Sequence, residues 1–176
     1  MPASRKKAVK SGTRKVAAKR ARAYSVRGSA IHGRGVFAAR AIRKGAEIVE
    51  YKGQRISQEE ADRRAAKASG DIYHTFLFQT QKGPIIDAGV RGNAARWINH
   101  SCAPNCEALE DDDGRVFIHA KRYIPLGTEL GYDYRLTVGE RLTKRLREAY
   151  ACRCGAPRCR GTLLNIPRRK PAKPAR

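Results

Sequence analysis

A chain of 176 residues with 41% hydrophobic residues builds one domain with a modest core and leaves no room for a second of ordinary size. The formal charge of +22 is concentrated at the ends: residues 1–22 hold nine Lys/Arg and residues 168–176 hold five, neither with an Asp or Glu, which leaves +8 for residues 23–167. No apolar run approaches the roughly 18–20 residues that cross a bilayer, and the N-terminal stretch lacks the apolar core of a secretory signal, so a membrane span or export is not expected and a reducing intracellular compartment is.

Residues 1–23 and 168–176 are expected to be solvated basic tails that attract polyanions by counterion release, with nucleic acid ahead of an anionic membrane surface. A merely solubilising tail, an organelle presequence and a nuclear-import signal built on Lys6-Lys7 and Lys19-Arg20 are alternatives that composition alone does not separate.

After the first tail, Tyr24-Ser25-Val26 predicts a short strand, and glycines flank Arg34 in Ile31-His32-Gly33-Arg34-Gly35-Val36-Phe37-Ala38, a pattern that allows a tight turn and close backbone approach. Glu47 to Tyr51 predicts a strand closed by Gly53. Ser57 followed by Glu60 is a capping box for a short polar helix running to about Ser69. Ile72 to Gln79 and Pro84 to Asp87 predict extended chain on either side of a Lys82-Gly83 turn. Asp113-Gly114, between Ala108-Leu109 and Val116 to His119, is the strongest hairpin signal in the chain. Leu142, Leu146, Ala149 and Tyr150 among alternating charges predict one helix over 136–150. Many short strands, few helices and no repeat predict a β-rich α+β domain.

Five cysteines is an odd number, and the tight spacing of Cys152, Cys154 and Cys159 suits one small metal ion better than a disulfide ladder. Cys152, Cys154 and Cys159 form Cys-x-Cys-x4-Cys, one ligand short of a tetrahedral zinc site, so a fourth donor has to come from elsewhere in the chain. A free-standing zinc knuckle or unpaired buried thiols are the alternatives.

Three unusual segments follow one another in the C-terminal half: Arg96-Trp97-Ile98-Asn99-His100-Ser101-Cys102-Ala103-Pro104-Asn105-Cys106, then Gly127-Thr128-Glu129-Leu130-Gly131-Tyr132-Asp133-Tyr134, then the cysteine cluster. Together they resemble the SET-domain protein lysine methyltransferases that carry a post-SET zinc segment. Gly92-Asn93-Ala94-Ala95-Arg96 brings the resemblance nearest to the trithorax and mixed-lineage leukaemia subfamily. It covers residue 24 to about residue 166. It implies a SET fold of short β-sheets over 24–135 with a knot-like C-terminal crossing, a linking helix over 136–150 and a post-SET segment over 151–167.

The resemblance also implies site residues. One structural zinc is held by Cys102, Cys152, Cys154 and Cys159, with Cys106 as the spare thiol. S-adenosylmethionine is bound by the loop of His32, Gly33, Arg34 and Gly35, by Asn99 and His100, and by Phe76, Arg96 and Tyr134, with adenine against Leu163 or Leu164. Tyr134 is the main catalytic residue, and Tyr132 and Tyr51 line the lysine channel. Related enzymes carry a tyrosine where Phe76 stands, with Tyr73 three residues earlier, which is the one departure. Tyrosine rather than phenylalanine at 132 implies mainly monomethylation.

The implied substrate is a basic tail of a histone or histone-like protein, met on nuclear chromatin, on a nucleoid, or in a host nucleus for a microbial source. The acidic cluster of Glu107, Glu110, Asp111, Asp112 and Asp113 reads as a solvated hairpin tip, or else as a surface that greets a basic peptide. Two other readings compete: a catalytically silent, zinc-containing chromatin or nucleic-acid-binding module, and methylation of the chain's own lysine-rich tails.

Overall fold

The computed structural model describes residues 22–67, 76–81, 83–139 and 141–166. Both predicted basic tails, apart from Arg22 and Ala23, fall outside the described residues, as do Tyr73 and Lys82.

Tyr24–Gly28 (β1) and Arg34–Ala38 (β2) pair antiparallel, joined by a turn in which the Ser29 N–H donates to the Gly33 carbonyl at 3.0 Å and Gly33 takes φ +44°. Glu47–Glu50 (β3) is followed by Gln54–Ile56 (β4) and then by the helix Gln58–Lys67 (α1). Ser57 caps α1 by accepting the Glu60 N–H at 3.3 Å. The Glu60 carboxylate turns instead to Arg63 and Arg64, so only one half of the predicted capping box forms. Leu77–Phe78 (β5) and Ile85–Asp87 (β6) complete a three-stranded sheet in the order β4-β6-β5.

A 3-10 turn over Ala94–Trp97, capped by the Asn93 side chain on the Ala95 N–H, leads into Asn99–His100 (β7). Cys106–Glu110 (β8) and Val116–Ala120 (β9) form the predicted hairpin, with β9 also paired to β3. Its tip is longer than a two-residue turn. The Asp111 carboxylate accepts the N–H groups of Asp113 and Arg115, at 3.0 and 2.8 Å, and Gly114 takes φ +70°.

Gly131–Tyr132 (β10) pairs in parallel with β7, 32 positions away in sequence. A Cβ on Gly131 would lie 3.0 Å from that of Ser101, so this close approach depends on glycine. Asn105 stitches the approach from the side. Its amide donates to the Glu129 carbonyl at 2.7 Å and its oxygen accepts the Gly131 N–H at 2.9 Å.

The predicted helix over 136–150 is shorter in the structure: only Lys144–Ala149 (α2) is helical, capped by Thr143 on the Leu146 N–H at 3.1 Å. Leu136 is drawn into an isolated parallel bridge with Leu164 instead, and Gly139 follows as a helix breaker. The core lies between the sheets, around fully buried Val36, Ile98, Ile118, Ile124 and Leu130. Each such aliphatic contributes about 1.5–3 kcal/mol by burial. No described helix is long and apolar enough to cross a membrane.

Candidate active site and metal centre

The β1–β2 turn, the β7–β10 pair, β5 and the C-terminal segment converge on a cavity of about 890 Å³. At one end His32 and Arg34 line it, while Gly33 and Gly35 shape the loop from behind. A Cβ on Gly35 would collide with the Glu129 carboxylate. That carboxylate accepts from the Ser29 hydroxyl at 2.7 Å and from the Asn99 amide at 2.9 Å. The same Asn99 amide donates to the Arg34 carbonyl at 3.0 Å. Asn99 therefore lines the cavity and also ties the glycine loop to β7.

Arg96 packs its guanidinium over Phe76 and Trp97, at 5.3 and 4.7 Å from the ring centroids, and donates to the Ala88 carbonyl at 3.1 Å. Arg34 also lies over Trp97, at 5.0 Å, and the Phe76 and Trp97 rings meet edge to face. This corner of the cavity is thus aromatic with two fixed cations.

Deeper in, four aromatic rings form a narrow cluster. Tyr132 and Tyr134 stand 4.9 Å apart, Phe78 is 6.3 Å from Tyr132, and Tyr51 is 5.2 Å from Phe78. Tyr134 donates its hydroxyl to the Ile98 carbonyl at 2.7 Å, and Tyr51 donates to the Phe76 carbonyl at 3.1 Å. Burial pushes all three phenols well above the usual tyrosine range, so they remain neutral donors at any physiological pH.

His100 joins this cluster to the cysteines. Its ring packs edge-on against Tyr134, and its Nδ1 accepts the Tyr134 backbone N–H at 3.1 Å. That bond leaves the proton on Nε2, which stands 3.3 Å from the Cys102 sulfur. Burial lowers the His100 pKa to about 4 despite the opposing pull of Asp133, so the ring is neutral.

Cys102, Cys152, Cys154 and Cys159 place their sulfurs within 4.8 Å of one another, with Cys102 at 3.7 Å from Cys152 and 3.8 Å from Cys159. A tetrahedral zinc with Zn–S bonds of about 2.3 Å needs S···S edges of about 3.8 Å, so the donor set fits that ion. Burial opposes ionisation of Cys154, but the N–H groups of Cys102 and Ala156 and the neighbouring thiols outweigh it and bring the pKa to about 7. Cys106 is buried outside the cluster, and burial pushes its thiol up to about 12. It is a core residue of β8 rather than a ligand.

Of the two leucines after Cys159, Leu163 lines the cavity, whereas Leu164 is fully buried in the bridge to Leu136. The acidic hairpin residues do not line the cavity; Glu110 accepts the N–H of Gln81 on its rim at 2.6 Å. Sequence reasoning did not single out Glu129, Asn105, Phe78 or Trp97 as site residues, nor the pairing of Asp133 with Arg160. Each stands inside or beside a quoted motif, but spacing says nothing about which partner a polar side chain meets.

The family model described as the SET domain matches residues 33–135. The chain is 40% identical over 135 residues to histone-lysine N-methyltransferase trr of Drosophila melanogaster, covering 75% of this chain and 5% of that protein. It is 38% identical over 141 residues to histone H3-lysine(4) N-trimethyltransferase ATX1 of Arabidopsis thaliana, covering 77% and 12%. To the histone-lysine N-methyltransferase, H3 lysine-4 specific, of Schizosaccharomyces pombe it is 42% identical over 139 residues, covering 77% and 14%. The chain thus spans between 5% and 14% of the length of these relatives.

Proposed function

The chain belongs to the SET-domain family, and on that premise we propose that it transfers methyl groups from S-adenosylmethionine to lysine side chains of histone or histone-like proteins. The observation that carries this reading is the meeting, in one cavity, of the glycine loop and paired arginines with the buried tyrosine cluster. Bound S-adenosylmethionine supplies an electrophilic methyl group on a sulfonium. The cavity's chemistry fits that molecule: Arg34 and Arg96 offer cations to its carboxylate, Phe76 and Trp97 offer aromatic faces, and Leu163 offers an apolar surface for adenine. The loop of His32, Gly33 and Gly35, with Asn99 and His100, would hold the amino-acid end of the donor, and the Asn99 amide ties that loop down through the His32 and Arg34 carbonyls.

The substrate lysine must be neutral to attack. A channel walled by Tyr51, Phe78, Tyr132 and Tyr134 favours the neutral amine by excluding water. Tyr134, fixed by its bond to the Ile98 carbonyl, presents its ring and phenol oxygen to the reacting centre and aligns amine and methyl in line. The buried Tyr132 hydroxyl occupies or hydrates the space a second methyl would need, so the main product is monomethyl-lysine. The four cysteines hold one structural zinc. Four protein sulfurs leave it no open position, so it orders the segment carrying Leu163 and takes no part in the transfer. The histone names of the relatives support a chromatin setting, and the basic tails add nucleic-acid contact.

The test is transfer of isotope-labelled methyl from S-adenosylmethionine to core histones, bacterial DNA-binding proteins and the protein itself, comparing wild type with Tyr134→Phe. Label in one substrate that disappears in the variant is expected. No label in any of them, with zinc present and the methyl donor bound, would overturn the reading.

A further inference from the structure

We propose that the folded domain carries a surface for the phosphate backbone of duplex DNA, built from residues 38–46 and 118–128 and separate from the cavity. These two segments lie side by side. Ile42 and Ile124 bridge antiparallel, Gly45 donates to the Ala120 carbonyl at 2.7 Å, and Ala38 exchanges hydrogen bonds with Gly127 and Thr128. Arg43 and Lys44 sit on the turn closed by the Ala46 N–H on the Arg43 carbonyl. The pairing brings them, with Arg40, beside Lys121 and Arg122, and Arg27 joins the group through its bond to the Gly127 carbonyl at 3.1 Å. All six cations are exposed.

Neither segment contains an Asp or Glu. Among the described residues no ion pair neutralises Arg40, Arg43, Lys44, Lys121 or Arg122, in contrast to Arg64, Arg115 and Arg160, which are all engaged by carboxylates. Of the acids around it, Glu129 is taken by Ser29 and Asn99, while Glu47 and Glu107, the two cross-strand partners of His119, stand at the edge of the patch. Uncompensated like charges on one rigid surface repel each other and are relieved by a polyanion. Four of the six are arginines, whose planar guanidinium groups match phosphate oxygens two at a time.

Two further observations favour DNA among polyanions. Tyr123, 60% exposed on the same segment, adds a phenol that can donate to phosphate. Ala23 accepts the N–H of Ala39 at 2.9 Å, so the chain that follows the acid-free stretch with nine Lys/Arg joins the fold beside Arg40. An anionic bilayer would call for more apolar surface than Tyr123 and Leu126 alone provide. Choosing DNA also rests in part on the histone reading, since histone substrates are met on DNA. None of the six cations lines the cavity, so DNA and a substrate lysine can be held together.

The experiment measures binding of the full chain to a fluorescein-labelled duplex over a series of salt concentrations. It compares wild type with a quadruple variant, Arg43→Gln, Lys44→Gln, Lys121→Gln and Arg122→Gln, and with a charge-reversed set carrying Glu at the same positions. Each phosphate that the protein no longer neutralises lowers the slope of log K against log salt by about 0.9. The glutamine set is expected to lower it by about 2–4 and to weaken binding at least tenfold, with zinc content and melting temperature unchanged. An unchanged slope in that folded variant would overturn the proposal and leave DNA binding to the tails. So would loss of binding to phosphatidylserine vesicles without loss of binding to the duplex. Should the reversed set fail to fold, the glutamine set decides alone. No methyl transfer is read, so failure of the enzymatic reading leaves this result interpretable.

Discussion

Arg160 grips Asp133 with both arms of its guanidinium, Nη1 to Oδ2 at 2.8 Å and Nη2 to Oδ1 at 2.6 Å. Burial would raise the Asp133 carboxyl, but Arg160 outweighs it and holds the group below the usual carboxylate range. The pair joins the residue before Tyr134 to the residue after the last cysteine of the four-cysteine cluster. Arg160 also donates to the carbonyls of Thr162 and Leu163, at 2.9 and 3.3 Å, so it sets the path of the segment that presents Leu163 to the cavity.

On the proposed function, Arg160 is accordingly a positioning residue for the pocket that would hold the methyl donor. Arg160→Ala should raise the KM for S-adenosylmethionine by about tenfold or more while kcat at saturating donor falls much less. Loss of charge-assisted hydrogen bonds of this kind costs about 1.5–3 kcal/mol, which lowers the melting temperature by several degrees. Arg160→Lys should restore part of the donor affinity by keeping one contact to Asp133. Equal falls in kcat and kcat/KM with an unchanged KM would show that the pair acts elsewhere.

The cysteines offer an internal control for the metal centre. Cys102→Ser should cut the zinc content from one per chain to well below it and loosen residues 151–166, while Cys106→Ala should keep full zinc at a modest cost in core packing. Metal analysis of the two purified variants, with hydrogen exchange over the C-terminal segment, checks both halves. Retention of full zinc by Cys102→Ser would remove Cys102 from the ligand set.

How much of the fold and the site is legible in the sequence follows the range of the interactions. Local signals read well: the glycine turn at 33, the Asp-Gly hairpin and the Ser57 cap depend on a few neighbouring residues, and all are present in the structure. The helix predicted over 136–150 fails in its first half because Leu136 answers to Leu164, 28 positions away, a partner no local pattern displays. The same limit governs the site. The resemblance nominates Asn99 for the donor pocket, but only the fold reveals that its amide binds Glu129 and the Arg34 carbonyl. Phe76 lines the cavity, packed edge to face on Trp97, and its backbone carbonyl accepts the Tyr51 hydroxyl, a contact that spacing does not display.

Tyr132 gives a product prediction. Its side chain is buried beside Tyr134 and Phe78, so removing one hydroxyl opens space next to the incoming amine without disturbing the ring packing. Tyr132→Phe should shift the product from monomethyl toward di- and trimethyl-lysine at a similar rate of first transfer. Mass spectrometry of a methylated histone-tail peptide reads this directly. Chiefly trimethyl-lysine from the wild type would remove Tyr132 as the determinant.

The same buried phenols set an alkaline limit on stability. Burial raises the pKa of Tyr51, Tyr132 and Tyr134 in the folded chain, whereas in the unfolded chain each ionises near pH 10. The folded state therefore binds these protons more tightly than the unfolded state. Their contribution to stability is complete below about pH 10 and is lost as pH rises from there toward the folded pKa values. Each phenol that ionises only on unfolding adds about 1.4 kcal/mol of loss per pH unit, so the three together approach about 4 kcal/mol per unit. Urea unfolding between about pH 9 and pH 11 should show the onset of this fall, about 4 kcal/mol in total over the interval for the three phenols, and Tyr51→Phe should remove about a third of it. Methyl transfer should instead rise with pH over the range where the substrate lysine loses its proton, with no inflection from Tyr134. A slope unchanged by Tyr51→Phe would place the alkaline loss in other groups.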